Sequence, residues 1–326
     1  MVSSVRISQA SLTDMTDLDK AYSIANPKDP DRAIYKIMYR HDQQSVFVLR
    51  KNGKIVCAAY CIGFPTGSSC LGGIFLDRNK GNAGYILDII RRCLQHLNAK
   101  GFRYVFSSIS SHNIEQLETL KKAGFEELYK RSVGYKKRRT FLPSPAKCEL
   151  LSDPSDIKKA INQLMSKDTI QKNTFPMLFW PHMLSDESIS YLLKSRNLLV
   201  LVNENKDAIV VSHRIFIEHQ NGRWFILPTD TIKDQANAKN AGEIMFSIGQ
   251  DVCVPLSESI RLLDDSNIDR IYCYDYEGSI ESKSYEQLGF SFQQPQIILY
   301  RKVNVNWSVI QAGAQSSLTL DKYWHS

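Results

Sequence analysis

The sequence predicts an α/β fold built on a mixed sheet and repeated in two tandem domains. Strand patterns alternate with amphipathic helix patterns in both halves of the 326 residues. A segment rich in proline and serine, residues 141–155, interrupts these patterns near the middle of the chain. Short sequences of the first half also recur in the second half in the same order. We therefore predict domains at residues 1–140 and 156–305, a linker at 141–155 and a tail at 306–326.

The first half begins with strand patterns. Residues 5–7 form a short strand, and residues 45–50 and 54–63 form a hairpin around an Asn-Gly dipeptide, which is typical of two-residue hairpin turns. Between them, residues 10–44 favour one or two short helices that are broken by prolines. These elements precede the segment of residues 71–98, which suggests a function.

That segment is a strand over residues 71–76, a turn of small residues and an amphipathic helix that Gly101 ends. The apolar positions of the helix recur at helical spacing. They are Tyr85, Ile86, Ile89, Ile90, Cys93, Leu94 and Leu97. The first N–H groups of a helix have no partner within it and attract an anion when nothing bulky covers them. Gly81, Ala83 and Gly84 leave this helix start uncovered, so we predict a phosphate site.

The spacing of the turn, Arg78-x-x-Gly81-x-Ala83, differs from dinucleotide-binding turns and from P-loops. It resembles the Q/R-x-x-G-x-G/A turn of the GNAT superfamily of acyl-CoA-dependent N-acyltransferases. Members of that superfamily also carry an Asn after the next strand and a Gly-Phe pair that closes the next helix. Asn113 and Gly124-Phe125 match these features, so the resemblance covers residues 1 to 138 in the family's order.

The resemblance implies an N-acyltransferase that uses acetyl-CoA or another acyl-CoA as co-substrate and needs no metal. A splayed strand pair would hold the pantetheine arm, and successive backbone N–H groups of the turn would hold the pyrophosphate. The residues that the resemblance assigns to coenzyme binding are Ile74, Leu76, Arg78, Asn79, Lys80, Gly81, Asn82, Ala83, Gly84 and Asn113. The acceptor would be the amine of a small molecule or a peptide.

The second half repeats parts of this pattern. Asn-Ala-Gly at residues 240–242 matches residues 82–84, and we expect a turn there, followed by a helix with Ile244, Met245 and Ile248 facing inward. In this alignment Ala236 and Lys239 replace the Arg and Gly of the turn. We therefore predict that the Lys239 side chain covers the start of this second helix and closes it to a phosphate.

The family often protonates the leaving thiolate with a Tyr four residues before the Gly of the Gly-Phe pair. Tyr285 stands at that position before Gly289, whereas Leu120 stands there in the first half. The resemblance thus implies Tyr285 as the catalytic acid, and a core tyrosine is the alternative. The family also needs a base, often a Glu. In the first half, residues 73–76 offer no carboxylate.

Four interpretations of the function remain open from the sequence. In the first, the first domain transfers the acyl group and the second shapes the acceptor site. In the second, catalysis takes place in the second domain and the first is a regulatory coenzyme sensor. The third is a Fem-like transferase that uses aminoacyl-tRNA, which the intact turn and the missing helical arm disfavour. The fourth is a non-catalytic acyl-CoA-binding tandem module.

Composition restricts the remaining possibilities. The net charge of +7 agrees with a polyanionic ligand, but no aromatic residues interleave with the basic clusters, so a nucleic-acid partner is disfavoured. No apolar stretch reaches the ~18 residues of a membrane span, and no secretory signal is recognisable. The seven cysteines favour buried free thiols, and the cytoplasm is the expected location. Residues 175–183, aromatic and interrupted by two prolines, either fill a core or line a pocket.

Overall fold

The computed structural model describes most of both halves. The described residues are 5–25, 45–64, 66–77, 82, 84–137, 148–165, 174–177, 180–183, 185, 190, 191, 194, 198–220, 223–227, 238–249, 252–264, 268, 270–276 and 282–303. The helices are α1 (Met15–Ala25), α2 (Gly84–Ala99), α3 (Ile114–Lys122), α4 (Pro154–Met165), α5 (Cys253–Asp264) and α6 (Ser282–Gln287).

The strands of the first half are β1 (Val5–Gln9), β2 (Val46–Lys51), β3 (Lys54–Gly63), β4 (Ser68–Leu76), β5 (Tyr104–Ser110) and β6 (Glu126–Lys137). Those of the second half are β7 (Cys148–Leu151), β8 (Thr174–Met177), β9 (Trp180–Met183), β10 (Leu198–Asn203), β11 (Ala208–Gln220), β12 (Arg223–Leu227), β13 (Ala238–Gly249), β14 (Arg270–Tyr276), β15 (Ser291–Phe292) and β16 (Gln296–Lys302). The α/β fold with a mixed sheet is confirmed.

One 14-stranded sheet runs through both halves, and β8 and β9 form a separate hairpin. Its order is β1-β2-β3-β4-β5-β16-β6-β14-β13-β11-β10-β7, with β12 paired to β11 and β15 to β6. From the β1 end, the sheet contains β1 to β5 of the first half in chain order, followed by β16 of the second half. From the β7 end, it contains β7, β10, β11, β13 and β14 of the second half in chain order, followed by β6 of the first half. The last long strands of the two halves, β6 and β16, have therefore exchanged places. The last strand of the chain, β16, lies beside β5, and β6 lies beside β14. Each half of the sheet is therefore completed by a strand from the other half, and the division into two domains stays a prediction.

The core of the first half lies on both faces of β2–β5. Helix α2 packs on one face through its apolar stripe, which includes Ile89 and Cys93, and α3 adds Leu120. Helix α1 packs on the opposite face through Met15 and Leu18. The predicted inward positions of α2 are confirmed. They could be predicted from the sequence because the spacing of a single helical stripe determines them locally.

In the second half, α5 packs on one face of β13 and β14. Leu256, Ile260 and Leu263 contact Ile244 and Ile271 there. The opposite face carries a second cluster that contains Ala241 and the ring of Tyr274. One face of this part of the sheet is therefore covered by α5, whereas the opposite face carries tyrosine rings.

The turn and helix predicted from residues 237–248 are wrong, because Ala238–Gly249 form β13. This strand pairs with β11, and a β-bulge interrupts the pairing next to Met245. A bulge shifts the alternation of a strand by one residue, so apolar residues come at spacings that resemble a helix. The helix begins later, at Cys253.

The interruption of regular structure predicted at residues 141–155 is wrong for residues 148–151 and 154–155, which belong to β7 and α4. Residues 138–147 lie outside the described part of the chain, and the domain boundary stays a prediction. β7 pairs with β10. Pro154 is the first residue of α4, a position where its missing N–H costs nothing. Asp153 Oδ1 accepts a hydrogen bond of 2.8 Å from the N–H of Ser155. The Pro and Ser residues here form a helix start.

The sequence also led to expectations about the cysteines and about membrane-spanning segments. Five of the seven cysteines are buried and two are half-buried, and all are free thiols. Burial raises the pKa of the Cys57 thiol to about 12. None of the described helices is both long and apolar enough to span a membrane.

Candidate active site

The first candidate site is a V-shaped gap between the parallel strands β4 and β5. The two strands pair only from Ser68 opposite Tyr104 to Cys70 opposite Phe106, although both continue beyond these residues. A bulge in β4, where Gly73 has a φ of 58°, follows directly. Beyond it, the backbone of β4 faces the gap without a partner on β5, which leaves polar groups for an extended ligand.

The residues predicted to bind the coenzyme are only partly described. Ile74 and Leu76 lie on the part of β4 that does not pair with β5, and the side chain of Ile74 is in the core. Gly84 is the first residue of α2, and Asn82 before it is exposed. The rest of the predicted turn, Arg78, Asn79, Lys80, Gly81 and Ala83, lies outside the described residues.

Asn113 is at the N-cap of α3. Its Oδ1 accepts a hydrogen bond of 3.2 Å from the N–H of Gln116, and its Nδ2 donates to Gln116 Oε1 at 2.8 Å. The structure thus gives Asn113 a capping role. Coenzyme binding by this residue stays a prediction.

A second V-shaped gap lies between β13 and β14. These parallel strands pair only from Ala241 opposite Arg270 to Glu243 opposite Tyr272, and both run on without pairing to each other. The bulge of β13 follows, as the bulge of β4 does in the first gap. The second gap leads to the start of α5. It therefore repeats the strand-pairing pattern of the first gap.

Tyr285 lies beside this second gap. Its side chain is 2% exposed and packs edge-on against the ring of Phe290 at 5.5 Å. Its hydroxyl oxygen is 2.9 Å from Oγ of Ser247, which is on the part of β13 that pairs with β11 but not with β14. Tyr285 is thus a core residue whose polar end reaches the strand that borders the gap.

Four ionisable or polar side chains that the sequence did not single out meet on the other face of this gap. We call them the ionisable cluster: Arg131 on β6, His213 on β11, Glu243 on β13 and Tyr274 on β14. Glu243 is 0% exposed, and its two carboxylate oxygens accept hydrogen bonds from the Tyr274 hydroxyl and from His213 Nε2. The guanidinium carbon of Arg131 lies 4.7 Å from the ring centroid of Tyr274.

The electrostatics of the ionisable cluster keep the Tyr274 hydroxyl protonated. Burial raises the pKa of Tyr274 well above its ordinary value, the negative charge of Glu243 raises it further, and Arg131 acts in the opposite direction. Burial likewise raises the pKa of the neighbouring Tyr276, and the coulombic effect of Tyr129 adds to this. Because Tyr274 stays protonated, it remains a donor to the carboxylate of Glu243.

The positions of the first gap that correspond to the four residues of the ionisable cluster and to Tyr285 carry no carboxylate, imidazole, guanidinium or phenol group. Cys70 is the last residue of β4 paired with β5, as Glu243 is the last residue of β13 paired with β14. From this starting point, the strand pairing and the helices give the first-half counterparts of His213, Glu243, Tyr274, Tyr285 and Arg131. They are, in this order, Ile62, Cys70, Ser108, Leu120 and Gln296. At these compared positions, the acidic and basic side chains therefore lie at the second gap.

The hairpin of β8 and β9 packs against the first half. His182 Nδ1 is 2.7 Å from Oγ1 of Thr66, and the N–H of Met183 donates to Ser68 Oγ at 3.0 Å. Oγ1 of Thr174 is 3.2 Å from the hydroxyl of Tyr129. His182 and Thr174 are both buried, so these side chains fill space between elements of both halves.

The sequence contained one signal for the ionisable cluster. Glu243 stands in a run of small and apolar residues, and a charged residue in such a run must be paired if the run is buried. The assignment of this run to an exposed turn and a helix concealed that signal. The partners of Glu243 come from three other strands and have no local signature.

Solved structures of acetyltransferases share this architecture over most of the chain. A GCN5-related N-acetyltransferase from Sphaerobacter thermophilus superposes with a TM-score of 0.58 at 9% identity, over 92% of this chain and 96% of that one. The chain has the GNAT fold. A putative acetyltransferase from Thermoplasma acidophilum gives a TM-score of 0.53 at 15% identity, over 91% and 99% of the two chains. No protein-family model matches the chain, and no curated protein matches its sequence.

In the GNAT fold, the splayed strand pair is the expected place for the pantetheine arm, and this chain has two such pairs. Both are bordered by a bulged strand and lead to a helix start. Within the described residues, no group of three or more His, Cys, Asp or Glu side chains is arranged to hold a metal ion.

Proposed function

We propose that the protein is an N-acyltransferase that moves an acyl group, preferably acetyl, from acyl-CoA to an amine at the second gap. The observation that carries the proposal is Glu243, a buried carboxylate on the strand that borders this gap. Tyr285 reaches the same gap from the opposite face, since it belongs to the core under α5 whereas Tyr274 belongs to the other. A candidate base and a candidate acid thus flank one site.

These residues fit direct attack of the amine on the thioester. An amine in water is protonated, so a base must remove its proton before attack. Glu243 is the proposed base, because a carboxylate has about four lone-pair sites and can take a proton beside the hydrogen bonds from His213 and Tyr274. The C–N bond then forms, the C–S bond breaks, and the thiolate takes the proton of the Tyr285 hydroxyl. The nitrogen loses its second proton to solvent as the amide forms. Glu243 then releases its proton to solvent and Tyr285 takes one from solvent, so that the turnover releases one proton in total.

The first gap is proposed as a second coenzyme site without chemistry. Its bulged strand and the predicted turn from Arg78 to Ala83 favour acyl-CoA, whereas Leu120 and Cys70 stand where Tyr285 and Glu243 stand in the second gap. About four strand spacings of ~4.8 Å separate the two gaps along the sheet. A thioester in the first gap is therefore out of reach of Tyr285.

Chemistry at the first gap is the second candidate function, and the predicted phosphate turn is what favours it. In that case the second half would shape the acceptor site. The two candidates share the substrate class, an acyl-CoA and the amine of a small molecule or a peptide, and the cytoplasm as the expected place of reaction. They differ in which carboxylate and which hydroxyl affect the rate.

Release of free thiol from acetyl-CoA in the presence of a panel of amines tests the proposal. The panel should contain peptides, aminoglycosides, amino sugars and polyamines. Glu243→Gln should lower kcat/KM by roughly 10²-fold or more, the usual effect of a lost acid–base group. The matched control is Cys70→Ala at the equivalent position of the first gap, which should retain the rate. An unchanged rate in Glu243→Gln would place the chemistry elsewhere, and coenzyme binding without turnover of any amine would favour the non-catalytic module.

A further inference from the structure

The ionisable cluster of the second gap contains one residue from the first half. Arg131 lies on β6, which the exchange of strands places between β16 and β14. Its side chain is 1% exposed and its guanidinium carbon is 4.7 Å from the Tyr274 ring centroid. The Tyr274 hydroxyl in turn donates to Glu243. Arg131, Tyr274 and Glu243 thus form a continuous chain of contacts from the first half to the candidate base.

The groups that surround this chain of contacts come from several elements. Those that interact electrostatically with Tyr274 or Tyr276 in the described residues are Arg131, Tyr129, Glu243 and Tyr285. His213 bonds the carboxylate from β11, and the hairpin contributes the neutral hydroxyl of Thr174 beside Tyr129. Of these groups, Arg131 carries the permanent positive charge and Glu243 is the carboxylate. A buried carboxylate is costly unless an opposite charge and hydrogen bonds compensate for it.

We propose that Arg131 is a positioning residue for acyl transfer, which strand β6 of the first half carries into the second gap to orient Tyr274 and to keep Glu243 ionised. This inference rests on the proposed function, in which Glu243 is the base. It assigns the first half a direct part in the chemistry of the second. The corresponding residue of the first gap is Gln296, which is uncharged and lies 3.0 Å from Ser108 Oγ through its Oε1.

The pH dependence of kcat/KM tests the inference. Without the cation, the neutral carboxylic acid becomes more favourable, so the acid limb of Arg131→Met should move to higher pH by about one unit or more. Arg131→Lys restores the charge and should return the limb most of the way. Gln296→Met is the matched control and should leave the limb in place. A limb that does not move in a folded Arg131→Met protein overturns the inference.

Calorimetry of the same variants separates this inference from the proposed function, because it needs no turnover. If Arg131 stabilises ionised Glu243, the loss of melting temperature in Arg131→Met should be largest at neutral pH and should shrink as Glu243 becomes protonated at low pH. A loss that is the same at all pH values indicates packing alone and overturns the inference. If the wild type transfers no acyl group, the proposed function fails, and the calorimetric result still decides on the charge.

Tyr274→Phe covers the case in which Arg131→Met does not fold. It keeps the ring on which Arg131 stacks and removes the hydroxyl that reaches Glu243. The acid limb should move in the same direction, because the carboxylate loses a hydrogen bond that favours its charged form. An unmoved limb in this variant also contradicts the inference.

Discussion

Tyr285 and Leu120 stand at the same position of their helices, four residues before the Gly of a Gly-Phe pair. Leu120 lies fully inside the core of the first half, whereas Tyr285 adds a hydroxyl that bonds Ser247 on the gap strand. The two halves therefore differ at this position by an aromatic ring and its hydroxyl group. The proposed function gives that hydroxyl a role as proton donor.

Tyr285→Phe should lower kcat by roughly 10²-fold, because the leaving thiolate loses its proton donor while the ring keeps its packing. The rate of thiol release with the best amine of the panel measures this. Ser247→Ala is the control, since it removes only the hydrogen-bond partner and should have a smaller effect. A full rate in Tyr285→Phe would identify Tyr285 as a core tyrosine.

At the same scale, the sequence identified Tyr285 but missed Glu243. The spacing of Tyr285 from a Gly-Phe pair is local, so it can be read along the chain. The role of Glu243 depends on His213, Tyr274 and Arg131, which reach it only through strand pairing. Residues that act together from different strands have no fixed spacing in the sequence.

At the scale of elements, the two exchanged strands cap helices of the opposite half. Lys136 on β6 donates from Nζ to the carbonyl of Leu288, 2.5 Å away, at the end of α6. Arg301 on β16 donates from Nη1 to the carbonyl of Ala123 at the end of α3. The last carbonyls of a helix have no intrahelical partner and carry negative partial charge, which a cation stabilises.

Lys136→Met and Arg301→Met should therefore each lower the free energy of unfolding by about 1 to 2 kcal/mol, the size expected for a partly buried cation at a helix end. Chemical denaturation measures it. Lys302→Met is the control, because Lys302 is exposed on the same strand and should change stability little. Equal effects in all three variants would contradict the capping role.

The turn predicted at residues 78–83 is expected to bind the pyrophosphate of CoA. Gly81→Glu adds bulk and negative charge at the start of this helix and should abolish binding of CoA at the first gap, because both oppose a pyrophosphate. Isothermal titration calorimetry with CoA measures the loss of one site. Lys54→Glu, an exposed charge reversal at the start of β3, is the control. Undiminished binding in Gly81→Glu would refute the phosphate site.

At the scale of the whole molecule, the exchange of β6 and β16 makes the two halves depend on each other. A chain of residues 1–147 lacks β16, so β5 loses its antiparallel neighbour and β6 loses both β16 and β14. Unpaired strand edges expose backbone donors and acceptors and promote aggregation. The free energy of folding is thus shared between the halves.

We expect residues 1–147 alone to show no cooperative thermal transition. Coexpression of residues 1–142 with residues 143–326 is the control, because it supplies every strand, and the two fragments should copurify. Circular dichroism and size-exclusion chromatography distinguish these outcomes. A monomeric, cooperatively folding 1–147 fragment would show that the exchange is not needed for folding.

By itself, the sequence determined the described strands and helices of the first half, the Gly-Phe helix ends and the GNAT-type order, because periodicity and turn residues are local properties of the chain. It misassigned Ala238–Gly249, where a bulge imitated helical spacing. Only the tertiary structure decided that β6 and β16 exchange places and that Arg131, His213, Glu243 and Tyr274 meet at one gap. Local patterns specify which residues form a strand, whereas its neighbours in the sheet are selected by packing across the whole molecule.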